Sequence, residues 1–215
     1  MKNVKHIVFD FDGTIADSLD MALEIYNRVA HEYGLKLIEK DDREKIRSQK
    51  PQTLLKAYGV SNLKLLKLLL RIRKEMGEHI SEIKLVEDIG SSLNEIKNAE
   101  FRLGILTSNS RKNVRIFLEK ESLSGIIDFI YSGRSLLGKD KVIKRMLERQ
   151  NISHESVIYV GDETRDTVAS KKAGIPVIAV SWGLSRRDAL ASLMPDQIAD
   201  DPKELFECVQ RIFRG

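Results

Sequence analysis

Apolar residues gather in five short runs along the chain: HIVFD (6–10), RLGILT (102–107), IIDFIYS (126–132), SVIYVGD (156–162) and PVIAVS (176–181). Each is rich in β-branched residues and short enough to be a mostly buried strand. From residue 102 the runs alternate with stretches of helical periodicity at 111–121, 139–150, 165–173 and 202–213. Such alternation predicts an α/β fold, a doubly wound parallel sheet of five strands with helices on both faces. Gly174 followed by Pro176 marks a helix end and the start of the last strand.

Between the first two strands the pattern changes. Leu19, Leu23, Tyr26, Val29, Ala30 and Tyr33 form a stripe of helical period that stops at Gly34. A polar helical stretch (39–48), a short helix from Pro51 to Tyr58, a Leu-rich basic helix (62–83) and a helix at 89–98 follow. A helical unit is therefore expected as an insert after strand one. The expected division is 1–17 with 85–215 for the sheet domain, and 18–84 for the insert. Lys64, Lys67, Arg71 and Lys74 share one helix face, which reads first as a solvated surface.

Charge adds one distinction. Residues 18–84 hold 14 Lys+Arg and 10 Asp+Glu, while the rest of the chain is balanced at 22 of each. The positive excess of the insert suits a small anionic substrate. No Lys/Arg stripe interleaved with aromatics points to nucleic acid, and no apolar run is long enough for a membrane span. The N-terminus runs into Asp10 and Asp12 and does not read as a signal peptide. The single cysteine, Cys208, rules out an internal disulfide and fits a cytoplasmic, reducing setting with a packing role.

The chemistry concentrates at strand ends. Strand one closes in DFDGT, where alternation directs Asp10 and Asp12 to the same side and Phe11 to the packing. Two such carboxylates repel unless a cation binds or one keeps its proton. A hard cation such as Mg2+ and a carboxyl of raised pKa are both useful in catalysis. Strand two ends in Thr107-Ser108-Asn109-Ser110 just before a helix, an arrangement suited to an anion. Lys139 opens the helix after strand three; Asp162 ends strand four, with Asp166 one turn further on. Ligands of open α/β sheets bind at this edge.

DFDGTIADS, Thr107, Lys139 and GDETRD together resemble the haloacid dehalogenase superfamily, in its phosphoglycolate-phosphatase-like branch. The resemblance spans essentially the whole chain and implies a Rossmann-like core with a helical cap. It implies a Mg2+-dependent phosphatase of small phosphorylated metabolites, as a monomer or homodimer. Asp10 would be the nucleophile and Asp12 the acid and base. Mg2+ would be held by the Asp10 and Asp162 carboxylates and the Asp12 carbonyl. Thr107 and Lys139 would bind the phosphoryl group, and Asp166 would orient Lys139 or metal-bound water.

Several points stay open in the sequence. The family's lysine is often followed by a Pro-containing turn, absent from Lys139-Asp140-Lys141, so Lys141 is a rival. Ser108 is a second candidate for the hydroxyl at the phosphoryl group. Glu163 reads as a solvated neighbour of Asp162, Asp17-Ser18 as a helix cap, His6 as a packed strand residue, and Trp182 as a packed or lid aromatic. Arg47 and Lys50 are candidate contacts for a second anionic group. A sugar-phosphate mutase uses the same aspartates, and a non-catalytic binding protein keeps the same fold. A dehalogenase is disfavoured because such members lack the equivalent of Asp12.

Overall fold

The computed structural model describes residues 4–39, 61–133 and 138–214. The expected helices at 39–48 and 51–58, with Arg47 and Lys50, lie outside the described residues, apart from residue 39.

The central sheet is built from β1 (His6–Phe9), β4 (Arg102–Thr107), β5 (Phe129–Ser132), β6 (Val157–Gly161), β7 (Val177–Val180) and β8 (Gln197–Ala199). Their spatial order is β5-β4-β1-β6-β7-β8, with every pairing parallel. The expected parallel α/β sheet is present, but the count of five strands is corrected to six. The missed strand is the three-residue Gln197–Ala199, too short to display a period. A second, two-stranded antiparallel ribbon joins β2 (Ala16–Asp17) to β3 (Lys84–Leu85). It clasps the two ends of the segment that carries α1 (Leu19–Ala30) and α2 (Asn62–Glu78).

The remaining helices are α3 (Ile89–Asn98), α4 (Arg111–Lys120), α5 (Lys139–Gln150), α6 (Thr164–Ala173), α7 (Arg187–Ala191) and α8 (Leu205–Arg214). Alternation along β1 divides the core. Ile7, Phe9 and Phe11 enter a cluster with residues of α3, α4 and α8, while Val8 enters a second cluster with α5 and α6. All four residues of β1 are buried, as expected for a central strand covered on both faces. Helices α1 and α2 pack on one another through Tyr26, Val29, Ala30 and Leu68. Ile25, Met76, Ile80 and Ile83 extend from that segment into the main core. Among the described residues no helix is long and apolar enough to cross a membrane.

Phe11 and Phe117 meet edge to face, with ring centroids 5.0 Å apart and an interplanar angle of 87°. The contact anchors the end of β1 onto α4. Phe117→Ala is expected to lower stability by about 3–5 kcal/mol, the usual cost of emptying a buried aromatic site. Chemical denaturation of the variant beside the parent checks this value.

Candidate active site

Parallel pairing brings the strand ends level. Phe9 is opposite both Ile105 of β4 and Val160 of β6. The Asp10 N–H donates to the Val160 carbonyl at 2.8 Å, so β1 runs on as far as its first acidic residue. Asp10 and Asp162 therefore emerge side by side, with Thr107 on the other flank. Beyond Asp10 the chain turns sharply. Gly13 N–H donates to Ala16 O at 2.8 Å, and Ala16 N–H to Phe11 O at 3.0 Å. Gly13 holds φ at 78°, and the Asp162 carboxylate fills the space that a Cβ would need. The turn aims Thr14 inward, where its hydroxyl donates to Asp162 Oδ1 at 2.9 Å.

Lys139 is the hub. Its Nζ donates to Asp10 Oδ2 at 2.5 Å and also contacts Asp166 Oδ1. Its charge lies 5.2 Å from the centroid of the buried Tyr159 ring. Burial works against the Lys139 ammonium, but Asp10 and Asp166 outweigh it and hold its pKa well above the ordinary lysine value. The other Asp10 oxygen accepts the Phe11 N–H at 2.8 Å. Asp166 is fixed in turn by the Glu163 N–H, at 3.0 Å from its Oδ2. Burial pushes the Asp166 carboxyl up to about 6, against the pull of Lys139. Lys141, the rival lysine, is exposed on the same helix.

Asp10, Asp162 and Asp166 are buried and present carboxylate oxygens within 4.8 Å of one another. Asp162 is held by Thr14 and by the Leu184 N–H, at 2.8 Å from Oδ2. Burial, then the charges of Glu163, Asp166 and Asp10, raise its pKa well above the usual carboxylate range. The Asp12 carboxyl is pushed up to about 7, first by burial and then by the charge of Asp10. Its Oδ1 is buried with no hydrogen-bond partner. Four acidic side chains thus gather at this edge, two of them on the one buried ammonium, and all their donor atoms are hard oxygens. Such a site fits a divalent cation of the Mg2+ type.

On the other flank, Thr107 Oγ1 accepts the Asn109 N–H at 2.9 Å, which leaves the threonine proton free to be donated. Asn109 is itself buried and receives the Asn113 side-chain amide on Oδ1 at 3.1 Å. Ser110 caps α4 by accepting the Asn113 N–H at 3.1 Å. Ser108 is half-buried beside Thr107.

A family model described as haloacid dehalogenase-like hydrolase matches residues 7–180. The chain belongs to the haloacid dehalogenase-like hydrolase family. It is similar to a phosphoglycolate phosphatase of Synechococcus elongatus, 31% identical over 208 residues, covering 97% of this chain and 98% of that protein. It is also similar to the pyrophosphatase PpaX of Bacillus mycoides, at 23% identity over 97% of this chain and 98% of that protein. Among solved structures, a predicted phosphatase from Clostridium acetobutylicum superposes with a TM-score of 0.82 at 20% identity. That match covers 97% of this chain and 99% of the other. The relatives named here are phosphatases, and this haloacid dehalogenase-like hydrolase is an enzyme of the same family.

Within this family member some details differ from the sequence expectations. Ser18 stands at the N-cap of α1, but its side chain makes no capping bond. Asp17 is exposed in β2 rather than capping a helix. Glu163 pairs with Arg165 at the lip of the site, and its charge is felt at Asp162 and Asp12. Trp182 is a packed aromatic, its indole N–H donating to the Thr14 carbonyl at 3.2 Å. Sequence reasoning did not single out Thr14 or Arg165. Thr14 follows Gly13 directly, and that adjacency was the available signal.

Proposed function

We propose that this enzyme is a Mg2+-dependent phosphatase of small phosphate monoesters, working through an aspartyl-phosphate on Asp10. The observation that carries the reading is Lys139 bridging Asp10 and Asp166, with Asp12 beside them and raised in pKa. Residues 18–84 would act as a cap over this edge, with the β2–β3 ribbon as its base.

Asp10 is aimed by Lys139 and the Phe11 N–H, and attacks phosphorus in line with the leaving oxygen. Asp12 near pKa 7 can give its proton to that oxygen, then take one from the water that hydrolyses the acyl phosphate. Thr107 donates to a phosphoryl oxygen, Ser108 lies beside it, and Lys139 offsets charge on the same group. Asp166 acts on Lys139, a role that its direct contact supports. Asp10, Asp162 and the Asp12 carbonyl would hold Mg2+, which supplies positive charge to the phosphoryl group and its attacker.

The 31% identity to a phosphoglycolate phosphatase supports phosphoglycolate as a candidate substrate, and the PpaX similarity supports pyrophosphate as another. The expected result is hydrolysis of p-nitrophenyl phosphate with Mg2+ and its loss in excess EDTA, restored by added Mg2+. Full turnover in the chelated enzyme would remove the metal from the reading. The same assay over a panel of phosphate esters distinguishes hydrolysis from phosphoryl transfer to a sugar.

A further inference from the structure

The Asp162 side chain sits in a slot between two loops. On one side is the turn after β1, and on the other the loop Ser181–Ser185 that follows β7. Each loop brings a glycine against the carboxylate. A Cβ on Gly13 would collide with Asp162 Oδ2 and Cγ, and a Cβ on Gly183 would collide with Cβ, Cγ and Oδ2 of the same side chain. Each loop then donates from its next residue. The Thr14 hydroxyl goes to Oδ1 at 2.9 Å and the Leu184 N–H to Oδ2 at 2.8 Å. Both oxygens are therefore held, one from each side.

The β7 loop makes further ties. The Trp182 indole N–H donates to the Thr14 carbonyl at 3.2 Å and so fastens the two loops to one another. The Ser185 N–H donates to the Asp162 carbonyl at 3.2 Å, and Ser185 Oγ accepts the Thr164 N–H at 3.2 Å where α6 begins. Gly183 and Ser185 are buried. The carboxylate they surround has a reason to move. Asp10, Asp162 and Asp166 bring oxygens within 4.8 Å of one another, and like charges at that range repel. An unrestrained Asp162 would relieve the repulsion by turning away, and a cation would then have to draw it back at a cost in affinity.

We infer that the loop after β7 sets the Asp162 carboxylate for the metal, with Gly183 and Trp182 as positioning residues. Gly183 admits the loop backbone against the side chain, and Trp182 holds the Thr14 turn onto the other oxygen. The inference rests on the phosphatase reading above, in which Asp162 holds Mg2+, and adds the device that keeps this ligand in place. Groups that orient a metal ligand are typically worth about 10–100-fold in metal affinity.

The test measures binding of Mn2+ to the metal-free full chain, by the EPR signal of the free ion, as a stand-in for Mg2+. Gly183→Ala is expected to raise the Kd for Mn2+ about 10–100-fold. Trp182→Phe keeps an aromatic ring and loses the N–H, and is expected to raise Kd about 3–10-fold, the worth of one hydrogen bond. KM for p-nitrophenyl phosphate at saturating Mg2+ should stay within about twofold of the parent in both, because Thr107 and Lys139 are unchanged. Thr14→Val should also weaken Mn2+ binding, and Thr14→Ser, which keeps the hydroxyl, should restore it. Trp182→Phe added to Thr14→Val should cost little more, since the indole acts through that hydroxyl. Full additivity in the double variant would show that Trp182 only packs, and would overturn its part. If Gly183→Ala does not fold, Trp182→Phe decides alone. A Kd within about twofold of the parent in either folded variant overturns the inference while the phosphatase reading stands. A parent chain that binds no Mn2+ removes both the inference and the metal from that reading.

Discussion

Asp10→Asn is expected to lower kcat with Mg2+ by about 10^5–10^6-fold, the scale seen when a covalent nucleophile is removed. The amide has nearly the same shape, so the fold and the Phe11 N–H contact should survive. It lacks the charge and lone-pair strength needed to attack phosphorus. It also ceases to balance Lys139, whose Nζ lies 2.5 Å from Asp10 Oδ2. Because the residual rate is small, acid quench of the parent with labelled substrate is the companion measurement. A labelled protein band in the parent, absent from Asp10→Asn, is the expected pair of results. Turnover in Asp10→Asn within tenfold of the parent would end the assignment of Asp10 as nucleophile.

Lys139→Met should affect rate and stability together. Loss of the cation facing the phosphoryl group is expected to cost about 10^2–10^3 in kcat, the range for removing one electrostatic contact to the transition state. The stability effect has a separate cause. Lys139 is buried and joins Asp10 to Asp166, both also buried. Removing one partner of a buried charge cluster leaves carboxylates uncompensated, at a cost of about 3–5 kcal/mol. The pKa of Lys139 is raised in the folded state, so its contribution is fully present at neutral pH. In the variant the destabilisation should shrink as pH falls, because protonation discharges the orphaned carboxylates. Thermal unfolding of parent and variant at pH 7.5 and 5.0 checks the sign. A gap in Tm that is equal at both values would show that the lysine contributes packing rather than charge. Added Mg2+ should narrow the gap at pH 7.5, since it offers the same carboxylates another cation.

How much of this site was readable in the chain depends on the kind of residue. Asp10, Asp12 and Asp162 were readable because strand ends are predictable from apolar runs, and parallel strands in one sheet put their carboxyl ends at one edge. Period two correctly directed Phe11 into the core, where it meets Phe117. The choice between Lys139 and Lys141 was not readable. They sit two residues apart on α5, and only its packing against β6 turns one inward and leaves the other exposed. Ser18 does stand at the N-cap of α1 as read, but its side chain makes no capping bond, a detail that residue type alone does not reveal.

The linear chain was enough to establish an α/β architecture and to point to a helical segment after strand one and to the acids and lysine at the sheet edge. Hydrophobic periodicity and strand-end chemistry are local properties, and local properties survive without coordinates. Three-dimensional packing settled the sixth strand, the lysine that meets Asp10 and the hold of Thr14 on Asp162. Each of these depends on residues far apart in the chain meeting at close range, and on the burial that such meetings create. Burial in turn sets the charge state of Asp12 and Lys139, because a carboxyl or an ammonium removed from water responds to neighbours that no short stretch of sequence contains.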